Sequence, residues 1–252
     1  TYTCAHGTGT GYDAIQDALN AMNNGDDIYI RGGTYAGRVS IPENKTGTAE
    51  NRCSLQSYPG EWAILDNDHQ GDGGVYDNVI QSWYSNIAYW TIERMEITGG
   101  GLADSTSTNG AGIFWQGADH ITLRYLYIHD NLGSTRSSSA AGIRLTNDSG
   151  GANDCIIEYC YLVGNGSTVE GEDNTANAQI AIYSDYKYSA TGDPSTATAN
   201  NIIRYNYMDC SIGESNHSTL GFTQKAFQRL TGYVYGETEN EADAEPNGAE
   251  YR

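Results

Sequence analysis

The sequence predicts an all-β solenoid. Four segments superpose on one another: Thr91-Ile-Glu-Arg-Met-Glu-Ile97, Thr122-Leu-Arg-Tyr-Leu-Tyr-Ile128, Ile156-Ile-Glu-Tyr-Cys-Tyr-Leu162 and Ile202-Ile-Arg-Tyr-Asn-Tyr-Met208. Their second residues, Ile92, Leu123, Ile157 and Ile203, recur at intervals of 31, 34 and 46 residues, a constant strand joined by loops of variable length. A second series of short apolar alternations lies between them: Gly112-Ile-Phe-Trp115, Gly142-Ile-Arg-Leu145, Gln179-Ile-Ala-Ile182 and Leu220-Gly-Phe222. Each period is therefore one coil with at least two strands, and stacking the coils buries a core that no single coil could bury.

The elements follow in order. Ala14, Ile15, Ala18, Leu19 and Met22 fall at helical spacing, with Asp13 as the expected N-cap and Asn24-Gly25 as a left-handed stop. This predicts an amphipathic helix within 11–25, read as a cap because an open solenoid end exposes apolar core. Ile28-Tyr-Ile30, Val39-Ser-Ile41, Cys53-Ser-Leu55, Ala63-Ile-Leu65 and Val79-Ile80 read as strands of the first coils, separated by turns at Gly32-Gly33, Pro42 and Pro59-Gly60. The count gives about six coils. Phe222, Ala226, Phe227 and Leu230 read as a last strand or a short closing helix. One solenoid domain is expected over 1–235. Residues 236–252 form an acidic tail of disordered composition, read as lying on its own solenoid or on a neighbour.

Alternation at period 2 points Ile121, Leu123, Leu126 and Ile128 inward and Thr122, Arg124 and Tyr127 outward. The aligned columns then become surface ladders. Glu93, Arg124, Glu158 and Arg204 alternate in sign, so each carboxylate is expected between guanidinium groups, as exposed pairs worth about 0 to 1 kcal/mol each. Tyr127, Tyr161 and Tyr207 form a candidate carbohydrate platform, with Tyr125, Tyr159 and Tyr205 at the adjoining bend. The alternative is that these tyrosines are cross-strand pairs covering the sheet. Asn131 and Asn165 align as an inward asparagine ladder that satisfies turn backbone groups.

Gly112-Ile followed by Asp119-His-Ile-Thr-Leu-Arg-Tyr-Leu-Tyr-Ile-His-Asp-Asn131 resembles the repeat of right-handed parallel β-helix proteins, the pectin-lyase-like superfamily. The opening is similar as well: Asp13 to Met22, then Gly25 to Tyr35, then Gln56-Ser-Tyr-Pro-Gly60 and Ile64-Leu-Asp66. The resemblance implies a right-handed parallel β-helix over most of the chain. It does not choose a function, because this fold hosts lyases, hydrolases, epimerases, tailspikes, adhesins and non-catalytic surface proteins.

A lyase of this kind needs a base, and a cation or positive side chain for the uronate carboxylate. The base or clamp candidates are Lys187, Lys225, His217 and Arg144. Calcium needs several oxygen ligands, and Glu170, Glu172 and Asp173 are the best local set, with Asp66, Asp68, His69 and Asp72 a second acidic cluster. His129-Asp130-Asn131 follows a strand end and is a further base candidate, although its alignment with Val163-Gly-Asn165 favours a turn role. Four variable loops, 99–110, 132–141, 164–178 and 211–219, all join the longer strand to the shorter one, so a groove at that edge is the expected site. Two functions stay open: a polysaccharide lyase or hydrolase, and a non-catalytic surface, filament or tailspike-type subunit whose partners are copies of itself.

Charge and composition narrow the partners. The net charge of −19, from 13 basic and 32 acidic residues, argues against nucleic acid and makes anionic polymers poor partners without a mediating cation. No stretch approaches the length of a membrane helix. A surface rich in Ser, Thr, Asn and Tyr reads as extracellular. Cys155 and Cys160 fall on inward columns as core residues, while Cys4 and Cys53 are a candidate disulfide. Asn44, Asn147, Asn165 and Asn216 open Asn-x-Ser/Thr sites, about as many as chance supplies.

Overall fold

The computed structural model describes residues 2–4, 11–69, 77–84, 86–101, 110–133, 140–146, 152–167, 178–183, 200–209 and 225–230. In chain order the elements are β1 (Tyr2–Cys4), α1 (Gly11–Ala21), β2 (Asp27–Ile30), β3 (Gly33–Ala36), β4 (Val39–Ser40), β5 (Cys53–Ser57), β6 (Ala63–Asp66), β7 (Ile80–Ser82), β8 (Trp90–Thr98), β9 (Ala111–Gln116) and β10 (Thr122–His129). They continue with β11 (Leu132–Gly133), β12 (Ala141–Thr146), β13 (Ile156–Glu158), β14 (Tyr161–Val163), β15 (Gly166–Ser167), β16 (Ala178–Tyr183), β17 (Ile202–Arg204), β18 (Tyr207–Asp209) and β19 (Lys225–Leu230).

Every pairing is parallel and joins one coil to the next. One sheet runs β1-β2-β5-β8-β10-β13-β17, with β3, β6, β14 and β18 continuing its second arm, and another runs β4-β7-β9-β12-β16-β19. The predicted register holds at each step: Ile92, Leu123, Ile157 and Ile203 are successive partners, as are Ile97, Ile128, Leu162 and Met208. The inward columns are apolar and buried, with Ile80, Ile113, Ile143 and Ile180 lining the opposite wall. Trp90 and Trp115 meet across the interior at 6.2 Å, and Trp90 Nε1 donates to the Lys45 carbonyl. Ile15 and Leu19 of α1, and Met22 directly after it, join the same core. No helix among the described residues is long and apolar enough to cross a membrane.

The corner between the two arms is built by non-glycine residues in the left-handed region: Arg94, Tyr125, Tyr159 and Tyr205, with φ of 55°, 54°, 54° and 56°. A second such column, Tyr89, His120, Asp154 and Asn200, turns the chain into the first arm. Left-handed backbone costs a non-glycine residue about 1–2 kcal/mol; Tyr125, Tyr159 and Tyr205 stack on one another in the first column, and Tyr89 on His120 in the second. Arg52 ties three coils together from one side, its guanidinium donating to the Trp90 carbonyl at 2.6 Å and the His120 carbonyl at 2.5 Å.

Several expectations are corrected. The helix starts at Gly11, so Asp13 lies inside its first turn and is not the N-cap. Gly33 opens β3 instead of completing a turn, because its φ of 137° lets an extended strand start directly from the Gly-Gly pair. The last strand of the second sheet is β19, with Phe227 in register with Ile180, while Leu220-Gly-Phe222 lies outside the described residues. Cys4 and Cys53 are both buried and are not bonded to each other. Cys4 pairs with Ile30, and Ile30 with Ser57, four residues along the strand from Cys53. At about 3.3 Å of rise per residue that offset exceeds the reach of a disulfide. Asn165 is fully buried, so its Asn-x-Ser site is closed in the folded chain, whereas Asn44 is exposed.

Cys155 and Cys160 sit inward as expected, and burial pushes each thiol from its ordinary value of 9.0 up to about 12. The folded chain thus holds both protons after the unfolded chain has lost them. Their contribution is complete below about pH 9 and is lost as the pH rises toward 12, by about 1.4 kcal/mol per pH unit for each thiol. Urea unfolding is expected to show the midpoint falling across pH 9 to 11, and falling less steeply in Cys155→Ala with Cys160→Ala. An equal slope in that variant would assign the loss to other groups.

Candidate functional site

The outer face of the second arm gathers the chemistry. Successive coils place Ile64, Glu96, Tyr127, Tyr161 and Tyr207 in one outward column, and Asp66, Thr98, His129, Val163 and Asp209 in the next. His129 Nε2 lies 3.1 Å from Glu96 Oε1, and Nδ1 lies 2.8 Å from Asp130 Oδ2. The other Glu96 oxygen accepts from Trp62 Nε1 at 3.3 Å, which fixes that carboxylate. Tyr127 stacks on the imidazole with centroids 4.2 Å apart and planes 23° apart.

Both carboxylates are acceptors, so a neutral ring with one N–H satisfies one of them and an imidazolium satisfies both. Glu96 is half-buried and held by Trp62, whereas the Asp130 side chain is 58% exposed. Donation from Nε2–H to Glu96 leaves Nδ1 as the lone pair, on the side of the exposed Asp130 carboxylate. Tyr127 stays protonated above the ordinary phenol range, first through burial and then through the Glu96 and Asp130 charges. Tyr207 is raised as well, by Tyr161 and then Asp209. Tyr127 and Tyr207 therefore keep their hydroxyl donors.

The expected tyrosine platform is present with a different presentation. Tyr161 and Tyr207 stack at 4.4 Å and 7°, so their faces are turned to each other, while Tyr127 meets Tyr161 edge-on at 62°. Ring edges and hydroxyls point outward along most of the row. The sign ladder also differs from expectation. Arg94 and Arg124 both pair with Glu93, and Arg204 with Glu158 at 2.7 Å, and the two carboxylates are buried beneath the guanidinium groups instead of standing exposed between them.

The asparagine ladder supports the site from below. Asn131 Oδ1 accepts from Gly100 N at 2.9 Å, its Nδ2 donates to Asn165 Oδ1 at 2.8 Å, and Asn165 Nδ2 donates onward to Gln179 Oε1 at 2.6 Å. Asn131 follows Asp130 directly, so the ladder anchors the strand end that carries His129. The variable loops leave from this same edge, where β11 and β15 pair at their roots. A Cβ at Gly142 would lie 2.7 Å from the Gln179 carbonyl oxygen and 3.0 Å from Asn165 Nδ2, so glycine is required there.

Of the residues singled out by sequence, Arg144 lies on β12, across the loop edge from His129, with its guanidinium 5.5 Å over the Phe114 ring. Phe114 is buried and packs on Trp83 at 4.4 Å. Lys225 opens β19 in register with Ala178. Lys187, His217, Glu170, Glu172, Asp173 and Asp72 lie outside the described residues, as does the acidic tail. In the other acidic cluster Asp66 Oδ1 accepts from Asp68 N within the turn, and His69 Nδ1 lies 3.3 Å from the Gly101 carbonyl of the next coil. Among the described residues, Asp119, His120 and Asp154 bring three possible ligand atoms within 4.8 Å. An imidazole donor there suits a borderline metal better than calcium.

No family model matches the chain. A stretch of 55 residues, 22% of this chain, is 40% identical to "Pectate lyase PEL9" of Emericella nidulans, of which it spans 13%. Among solved structures, an alginate lyase from Paenibacillus sp. str. FPU-7 aligns over 81% of this chain and 75% of that one, with 18% identity and a TM-score of 0.47.

Proposed function

We propose that this chain, a parallel β-helix of the pectin-lyase-like superfamily, is a secreted protein that binds and cleaves a uronate-bearing polysaccharide by β-elimination. One observation carries the reading: an imidazole bracketed by Glu96 and Asp130, stacked on Tyr127, at the strand end from which the variable loops leave. The likeness of 55 residues to a pectate lyase supports the substrate class. In this reading α1 caps the amino-terminal end of about six coils, and the substrate runs over the Tyr127, Tyr161 and Tyr207 row.

His129 Nδ1 would accept the proton at C5 beside the uronate carboxylate, and the electron pair left behind would form the C4=C5 double bond as the C4–O bond to the leaving sugar breaks, that oxygen taking a proton from the imidazolium or from water; Glu96 would hold the ring in the required tautomer, and Asp130 would move aside to admit the sugar and then pair with the cation. The carboxylate itself needs neutralising on a chain of net charge −19. Calcium on Glu170, Glu172 and Asp173 is the proposed means, with Arg144 a second positive group on β12. Bound calcium would supply charge neutralisation and nothing more in this scheme.

The test is a panel of polyuronates, alginate and neutral polysaccharides, incubated with the protein with and without calcium while the unsaturated product is followed by ultraviolet absorbance. Product from at least one uronate polymer is expected, and none from any polymer sinks the proposal. A second reading, a non-catalytic assembly subunit, draws on β17, where Ile202 stands 44% exposed. A monodisperse monomer in electron micrographs counts against it.

A further inference from the structure

The corner between the two arms carries groups that the proposed site does not use. Arg94, Arg124 and Arg204 stand over buried Glu93 and Glu158, with guanidinium side chains 40 to 46% exposed. Beside them Tyr125, Tyr159 and Tyr205 stack in a continuous row, with centroids 5.1 Å apart at both steps and planes 11° and 21° apart. These rings are 45 to 65% exposed. Their faces are largely covered by one another, so the row offers edges and hydroxyls at the spacing of the coils, about 4.8 Å.

We propose that this corner is a second docking surface, and that it grips an anionic polysaccharide chain running along the solenoid axis. Sign is the first argument. Three guanidinium groups over two carboxylates leave the corner positive, on a chain with only 13 basic residues against 32 acidic ones. The negative charges are those underneath, and the positive ones are those at the surface. Spacing is the second argument. One hydroxyl per coil repeats at a step comparable with one pyranose unit, so successive sugars meet equivalent donors. Rigidity is the third. Every residue of the Tyr row, and Arg94 at its head, is fixed by left-handed backbone at φ of 54° to 56°, and Arg204 lies 5.7 Å over the Tyr205 ring. A surface already ordered loses little entropy on binding.

Tyr125 precedes Tyr127 by two residues, and His129 by four, so the corner is a track parallel to the proposed cleavage row and about 13 Å from its imidazole column along the strand. Polymer held there raises the local concentration of chain for that row. The inference rests on the polysaccharide reading of the previous section, and the experiment separates the two.

The full chain is run through native gels containing polygalacturonate, alginate or fully methyl-esterified polygalacturonate. Retardation by the two anionic polymers is expected, and little by the esterified one. Tyr159→Ala with Tyr205→Ala, and separately Arg124→Gln with Arg204→Gln, are expected to weaken retention at least fivefold while leaving cleavage of short uronate oligomers unchanged. Tyr159→Phe with Tyr205→Phe keeps the stack and removes the hydroxyls. It is expected to weaken retention in a chain whose thermal midpoint is preserved, so a folding defect in the Ala pair does not decide the matter. Retention unchanged in both the Phe and the Gln pairs, or equal retention on the esterified polymer, overturns the corner as an anionic track. Retention without cleavage of any polymer leaves the corner standing and sinks the lyase reading. No retention by any polymer overturns the corner as well.

Discussion

His129→Gln is expected to lower the rate of uronate elimination at least 10²-fold, while retention on polymer gels changes less than twofold. Gln is close in volume, can still donate to Glu96 and keeps a planar group under Tyr127, but it cannot take a proton. The loss therefore isolates basicity from packing. Glu96→Gln should show a smaller loss, about tenfold, because Trp62 Nε1 would still meet the amide oxygen while the ring loses its anionic partner. Asp130→Asn tests the swing: its side chain is the exposed one, so its effect should fall mainly on kcat, through the cation formed after proton transfer, with KM little changed. A His129→Gln protein that retains the full rate would remove the base from the scheme and return attention to Lys187, Lys225, His217 and Arg144.

Some of this was legible before any coordinates and some was not, for identifiable reasons. Strand register was legible, because a one-residue slip would turn Ile92, Leu123 and Ile157 out to solvent. The asparagine ladder was legible for a related reason: Asn131 and Asn165 align one coil apart, and a buried amide needs a partner at that spacing. His129 was placed in the correct column and read as a turn residue, since its lateral neighbours are Thr98 and Val163. Its partner Glu96 is the diagonal neighbour, two residues back on the adjacent strand. Reading diagonals, which long side chains span, would have found the pair. The depth of Glu93 and Glu158 was hidden because alternation says which way a side chain leaves the sheet, and not what folds over it. The left-handed corner at Arg94, Tyr125, Tyr159 and Tyr205 was hidden because Arg and Tyr are rarely found in that region. Cys4 and Cys53 were misjudged from proximity in coil order, where position along the strand decides.

Asn165→Ala is expected to destabilise the fold by about 3 to 5 kcal/mol, read as a lower urea midpoint at unchanged slope. The side chain is fully buried and its amide serves four groups. Nδ2 donates to the Ile128 carbonyl at 2.9 Å and to Gln179 Oε1 at 2.6 Å, and Oδ1 accepts from Asn131 N at 3.3 Å and Asn131 Nδ2 at 2.8 Å. Alanine removes all four bonds at once in a dry site, and each group left without a partner costs about 1–3 kcal/mol. Leucine fills the volume without restoring any bond, so Asn165→Leu should recover little. Asn131→Ala breaks the same network from its other end, and the double variant should lose less than the two single losses together, by 0.5–3 kcal/mol for residues in one network. Strict additivity would mean that the two amides act independently and that the ladder is not a unit. The same cut should reach the proposed site, because Asn131 Nδ2 also donates to the His129 carbonyl at 3.0 Å. Loosening that anchor displaces the imidazole relative to Glu96, so residual activity in Asn165→Ala should fall at temperatures well below its melting midpoint, where the bulk of the chain is still folded.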